Sequence, residues 1–249
     1  MERLIQVENI VKSFRDKKQQ VVAVDHVSLH LDEGEILGII GESGSGKSTV
    51  LRLLSGIMKP DEGAVMLFDK PLDTNDRSRF RDLQMIFQDA RASFDKQYTI
   101  EQSLNEVRKH LNPTALENRF LLQEVGLDIS FANKYPHEMS VGECQRAAIA
   151  RALACEPKVL LCDEITSALD VITQEKICGL LKHLCHQHHI SAIFVSHDLP
   201  LVSNLCDRVI IMKDGKFVEE GKTKNVMQKP QHPYTKELLR HILKLETAE

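Results

Sequence analysis

Residues Gly41–Thr49 read GESGSGKST and fit the spacing G-x-x-x-x-G-K-[ST]. That pattern is built for a phosphate. Gly41, Gly44 and Gly46 let the backbone curl so that successive N–H groups face phosphate oxygens, with Glu42, Ser43 and Ser45 between them. Lys47 can reach β- and γ-phosphates, and the Ser48 hydroxyl, beside Thr49, can ligate Mg²⁺. An ordinary glycine-rich turn could carry the same letters. The apolar run EILGII before the loop and the helix-forming residues after it supply the strand–loop–helix setting that the motif requires.

A second chemical cluster is KVLLCDE, Lys158–Glu164, an apolar run ending in two adjacent carboxylates. At the carboxyl end of a parallel strand such groups face the ligand crevice of the sheet. Asp163 suits Mg²⁺, and Glu164 suits a general base that aligns or deprotonates an attacking water. Paired acids after a strand are usually just a polar loop; the phosphate loop in the same chain favours chemistry. Gln88 follows LQMIF and His197 follows SAIFVS, so both are expected at the rim that carries Asp163. His197 could contact a γ-phosphate, and Gln88 the metal or the water.

The elements that must position these groups follow from apolar periodicity. In VSLHLD, Val27, Leu29 and Leu31 alternate with polar residues, as in a half-buried strand. EILGIIG is continuous enough to be a buried strand. A helix is expected from Lys47 to about Met58, then strands at GAVMLF and LQMIF. Residues 100–138 carry helical spacing, punctuated by Pro113 and Pro136. Beyond Gln145 the order is helix, strand KVLLC, helix 171–187, strand SAIFVS, short helix and strand RVIIMK. Lys213–Lys216 reads as a tight hairpin turn, and YTKELLRHILKL as a helix with Leu238, Leu239, Ile242 and Leu243 on one side. Helices alternating with apolar strands predict an α/β fold with a parallel core sheet. A small β-sheet lies in front and a helical insertion at about 90–140.

With 249 residues, 42% of them hydrophobic and 27% charged, the chain can bury a core as one large domain or two small ones, and its pattern reads as a single α/β domain over 1–249. A net charge of -4 and a pI near 6.3 argue against a general electrostatic hold on nucleic acid. The apolar runs are too short to cross a bilayer, and MERLIQVENIVKSF alternates like a strand, unlike a secretory segment. Six cysteines without CxxC spacing read as reduced, mostly buried thiols.

MSVGECQRAAIARAL, residues 139–153, poses a puzzle. Ser140 and Gly142 stand at the start of a strong helix expected near Gly142, and such a start seats anions. One chain then carries two phosphate-binding elements.

These pieces, in this order and over nearly the whole chain, resemble the ATP-binding cassette ATPases. The resemblance implies a P-loop NTPase with an N-terminal antiparallel β subdomain and a helical insertion subdomain. It implies that Met139–Glu143 is the signature loop, usually Leu-Ser-Gly-Gly-Gln, and that Gln88 is the Q-loop. By the same likeness Ser167–Asp170 is the D-loop, His197 the switch histidine, and Phe14 an aromatic that stacks on adenine. In that family two cassettes pack head to tail, each signature loop capping the ATP on the other's phosphate loop, with Ser140, Gly142 and Asp170 as this chain's contribution. A chain with one copy of each element therefore completes neither site alone.

IFQDARASFD, DEITSALDVITQ and QHPYTKELL resemble stretches of the oligopeptide, dipeptide and nickel importer cassettes. This implies an ATPase using ATP and Mg²⁺, docked on membrane permease subunits at the cytoplasmic face of a bacterial membrane and served indirectly by a solute-binding protein. The solute would be a peptide, nickel or a metal chelate. A soluble cassette of translation or repair, and an exporter cassette, are the alternatives; the missing second cassette and long insertion weigh against the first, the HPYTKELL ending against the second. Arg91 and Phe94 are expected to serve the groove that receives a permease helix. Val141 and Glu143 depart from the signature. A branched side chain stiffens the backbone, and a carboxylate repels a triphosphate, so a heterodimer with a second, related cassette is expected, with a homodimer as the alternative. His183, Cys185, His186, His188 and His189 form a cluster that could ligate nickel or zinc, or simply end a surface helix favourably.

Overall fold

The computed structural model describes residues 2–16, 19–76, 78–112 and 116–246, and it falls into two compact units, residues 1–74 with 192–249 and residues 75–191. In chain order the elements are β1 (Arg3–Asp16), β2 (Gln19–Asp32), β3 (Ile36–Ile40), α1 (Lys47–Leu54), β4 (Glu62–Leu67), β5 (Lys70–Pro71), α2 (Arg79–Asp82) and β6 (Leu83–Ile86). They continue as α3 (Ile100–His110), α4 (Asn118–Glu124), α5 (Val141–Leu153), β7 (Val159–Asp163), α6 (Val171–His188) and β8 (Ser191–Ser196). The last are α7 (Leu199–Leu205), β9 (Arg208–Lys213), β10 (Lys216–Lys222), α8 (Thr223–Gln228) and α9 (Pro233–Glu246).

In the first unit, β1 and β2 form a long antiparallel ribbon, and β4 and β5 extend it in the order β2-β1-β4-β5. Its alternation does what the sequence predicts: Val27, Leu29 and Leu31 are buried with Ile5, Val7 and Ile10 on one face. The second sheet of this unit centres on β3, with β8 and β9 parallel to it and β10 antiparallel to β9. All five residues of β3 and all six of β8 are buried, which explains the apolar runs ILGII and AIFV. Ile40 pairs with Ser196, so the next residues, Gly41 and His197, leave neighbouring strands at one level. That is the carboxyl rim where ligands bind such sheets.

Helix α1 ends at Leu54, four residues before the expected Met58. Ser55 caps it, and Gly56 turns the chain with φ 71°. The hairpin at Lys213–Lys216 is as expected: Asp214 and Gly215 both have positive φ, 47° and 80°, the pattern of a type I′ turn. In α9, Leu238 and Leu239 are half-buried; the Ile242 and Leu243 side chains lie outside the described residues, as does Pro113.

In the second unit β6 and β7 pair in parallel, Leu83 with Val159 and Ile86 with Cys162. Three of its helices, α3, α5 and α6, start on side-chain caps. Thr99 and Gln102 close a capping box on α3, Ser140 and Glu143 another on α5, and Asp170 caps α6 by accepting from the Thr173 N–H at 3.0 Å. Each cap satisfies a backbone donor that the first turn leaves without an intrahelical partner.

Candidate active site

The phosphate loop runs from the end of β3 into α1, as the motif requires. Its glycines have different reasons. A Cβ at Gly41 would stand 2.2 Å from the Met212 carbonyl oxygen, and one at Gly46 2.2 Å from that of Ala23, so neighbouring backbone excludes side chains there. Gly44 is open on that side, and its φ of 82° supplies the reason for a glycine instead. Gly46, at φ 106°, caps α1 without a side-chain hydrogen bond. Gly215 of the hairpin donates to the Ser45 carbonyl at 3.0 Å and fixes the loop from behind.

Lys47 is buried, 3% exposed, and its ammonium donates to the Gly41 and Glu42 carbonyls, both at 2.8 Å. A desolvated ammonium at the loop is a strong receptor for anionic oxygens, because charge-assisted hydrogen bonds gain strength away from water. Ser48 and Thr49 are half-buried in the first turn, whereas Glu42, Ser43 and Gly44 are exposed. The Ser45 hydroxyl is buried without a hydrogen-bond partner among the described residues. His197 is exposed at the end of β8; the chain then turns, with Asp198 donating its N–H to the Ser196 hydroxyl at 2.9 Å and capping α7. Phe14 pairs with Val21 on the β1–β2 ribbon and is 40% exposed, so its ring lies at the surface and not in the core.

The second unit brings Gln88, Glu164 and Ser167 together. Gln88 lies two residues beyond Ile86, and Glu164 two beyond its pairing partner Cys162, so parallel register puts both at one height. The Gln88 amide donates to the Glu164 carboxylate at 3.3 Å and to the Ser167 hydroxyl at 3.1 Å. Glu164 has a positive φ of 45°, uncommon outside glycine, in a turn closed by the Ser167 N–H to the Glu164 carbonyl at 3.1 Å. Asp163, one residue earlier, is 5% exposed at the end of β7. Asp170 is exposed and tied to α6 through the Thr173 N–H and hydroxyl, which hold its carboxyl below the usual range.

The signature segment differs from the sequence reading in one respect. Glu143 folds back, its carboxylate accepting from the Ser140 N–H at 2.8 Å while the Ser140 hydroxyl accepts from the Glu143 N–H at 3.3 Å. The carboxylate is thus committed to the helix start. Gly142 lies where a Cβ would come 3.1 Å from the Thr173 side chain. Arg91 donates to the Met139 carbonyl, joining the segment after Gln88 to the signature segment. The expectation for Phe94 needs correction: it is 4% exposed, with the Arg151 guanidinium 4.2 Å above its ring, so its contribution is to packing. Arg151 also donates to the Ser93 carbonyl and hydroxyl at 2.7 and 2.8 Å.

The histidine cluster disperses. His188 pairs with Glu124 at 3.1 Å, Cys185 is buried with its thiol pushed up to about 12 by desolvation, and His189 ends α6. Among the described residues no three His, Cys, Asp or Glu side chains converge on a metal position. Nor is any described helix long and apolar enough to cross a membrane.

Parallel strands bearing a phosphate loop, an acidic strand end, an antiparallel β subdomain and a helical insertion define a P-loop nucleoside triphosphatase. The family model described as ABC transporter matches residues 24–167. The oligopeptide transport ATP-binding protein OppF of Salmonella typhimurium is 42% identical over 227 residues, 87% of this chain and 68% of that protein. The methionine import ATP-binding protein MetN 1 of Oceanobacillus iheyensis is 38% identical over 257 residues, 99% of this chain and 74% of its own. Among solved structures, the dimeric bacterial cassette MJ0796 superposes with a TM-score of 0.79 at 32% identity, covering 88% of this chain and 98% of that one. A post-hydrolysis state of the same cassette, bound to ADP and Pi, gives 0.77. The chain belongs to the ABC transporter family and is an ATPase.

Proposed function

We propose that the chain is the ATP-hydrolysing subunit of a bacterial peptide importer, docked on permease subunits at the cytoplasmic face of the membrane. Likeness to OppF over 87% of the chain carries this reading and favours a peptide over nickel or a metal chelate. The test is to assemble the chain with its permease and solute-binding subunits in vesicles. Peptide-loaded binding protein should stimulate ATP hydrolysis; stimulation by a nickel-loaded form alone would overturn the peptide assignment.

In this reading the N–H groups of Gly41–Thr49 cradle the phosphates, Lys47 turns from loop carbonyls to β- and γ-oxygens, and Phe14 stacks on the adenine. Glu164 aligns and deprotonates the attacking water, and His197 contacts the γ-phosphate. Ser48, Asp163 and Gln88 would hold Mg²⁺, and their hydroxyl, carboxylate and amide oxygens are the hard donors this ion takes. The Gln88 amide N–H₂ serves Glu164 and Ser167, so its oxygen is the atom suited to the cation. Bound Mg²⁺ supplies neutralisation of charge on the phosphate oxygens.

The partner cassette is the second element of the proposal. Val141 stiffens the first turn of α5, and Glu143, its carboxyl held below the ordinary range by Ser140, keeps a negative charge there that a glutamine would not. Ser140, Gly142 and Asp170 therefore cap a partner's ATP less well than a Gly-Gln signature would, and the natural assembly is a heterodimer with a related cassette. In ATP, Glu164→Gln should remain monomeric alone and dimerise with that cassette. A tight homodimer with robust wild-type hydrolysis would defeat the idea.

A further inference from the structure

The segment QHPYTKELL has a structural role at the phosphate loop. Glu219 of β10 accepts from the backbone N–H groups of Gln231 and His232 at 2.8 and 3.0 Å. Burial pushes this carboxyl up, but those N–H groups and Thr235 hold it below its usual value. The His232 ring nitrogen then accepts from the Tyr234 N–H at 3.2 Å. The start of α9 is thereby fixed, and it delivers Tyr234 to the loop. Tyr234 is 5% exposed, its ring under the Lys213 ammonium at 4.5 Å and its hydroxyl accepting from the Glu42 N–H at 3.4 Å. Burial raises this phenol above its ordinary value, so it is neutral at working pH.

Glu42 is held at both of its backbone groups: Tyr234 takes its N–H, and its carbonyl accepts from Lys47 at 2.8 Å and from the Ser45 N–H, within the loop itself, at 3.2 Å. If Lys47 turns to phosphate oxygens, the carbonyl loses the Lys47 tether while the phenol keeps the N–H. Glu42, Ser43 and Gly44 are otherwise exposed, so the tether that persists matters most when nucleotide is bound.

We propose that Tyr234 is a positioning residue for the phosphate loop, holding the Glu42 N–H so that the following backbone donors keep the shape a triphosphate requires. This rests on the reading of Gly41–Thr49 as the phosphate seat. The inference concerns the nucleotide-bound loop, and the measurements separate it from ordinary packing. Tyr234→Phe keeps the ring, its burial and the Lys213 contact, and removes only the hydroxyl.

The experiment measures the Kd for Mg-ATP in the non-hydrolysing Glu164→Gln background, and KM and kcat in the wild-type background. The bond is already present with Lys47 on the loop carbonyls, so Kd reads only the weight it gains once Lys47 turns away, a rise of about 2-fold and at most about 12-fold. KM should rise with it, kcat at saturation should hold, and the thermal midpoint should fall more in saturating Mg-ATP than without nucleotide. Glu42→Pro, which deletes the N–H itself, should leave Tyr234→Phe without further effect on Kd. An unchanged Kd in Tyr234→Phe overturns the inference. So does a midpoint lowered equally with and without nucleotide, the mark of a packing role. Lys47→Ala distinguishes the two levels: if it binds ATP as tightly as the parent, the phosphate-seat reading fails and takes this inference with it.

Discussion

Gln88 and Glu164 stand at matching heights beyond two parallel strands, and the glutamine amide donates to the carboxylate at 3.3 Å. The contact positions the proposed base before any substrate arrives. Glu164→Gln preserves an acceptor for the Gln88 amide and so preserves the turn. It should keep Mg-ATP binding while lowering turnover by about 10²–10⁴-fold, the range for losing a positioned base. Near-normal hydrolysis by the purified variant would sink the assignment.

Phe14 offers a stacking face and little that reads a base edge. GTP should therefore compete within about tenfold of ATP, because stacking tolerates either purine. A competition titration showing strong ATP preference, unchanged in Phe14→Ala, would refute this role.

Phe94 and Arg91 should separate. Phe94 is buried beneath Arg151, so Phe94→Ala should lower folding stability by about 3–5 kcal/mol, read from urea denaturation. Arg91 is exposed and reaches the Met139 carbonyl, so Arg91→Ala should cost only about 1 kcal/mol. Equal losses would show that Arg91 is also part of the packed interior.

Glu143 makes stability depend on pH. The Ser140 N–H, then its hydroxyl, holds the carboxyl below its ordinary 4.5. A depressed folded value contributes stability above the unfolded value, and that contribution fades as pH falls through the folded one. At pH 7, Glu143→Ala should cost about 1 kcal/mol, typical of a lost cap. The gap to wild type should be flat above about pH 5 and narrow in more acidic solution. A gap that widens on acidification would contradict the bond.

The phosphate loop was legible because its chemistry depends on spacing along the chain, and its setting on flanking periodicity. Gln88 and Glu164 were legible as strand ends, but their contact needed the β6–β7 register, which no local pattern encodes. Helix α1 was read too long because the apolar pattern continues to Met58, whereas Gly56 reverses the chain. Phe94 was misread because its cover, Arg151, lies more than fifty residues away. Glu143 was read as a charge, and its bond to Ser140 keeps it one; the bond itself was also legible, since the spacing Ser140 to Glu143 is a capping-box signal. Tyr234 was part of a quoted motif, but its place beside Glu42 depends on a chain of bonds from β10 through His232.

The carbonyls of Met212 and Ala23 crowd Gly41 and Gly46 so closely that neither position has room for a side chain. These walls belong to the protein itself, so the cradle is cast before a nucleotide arrives. Its calorimetric signature should then be that of a ligand entering a finished mould: little chain ordering to offset, and a heat-capacity change set by the purine's buried apolar surface instead of by folding of the loop.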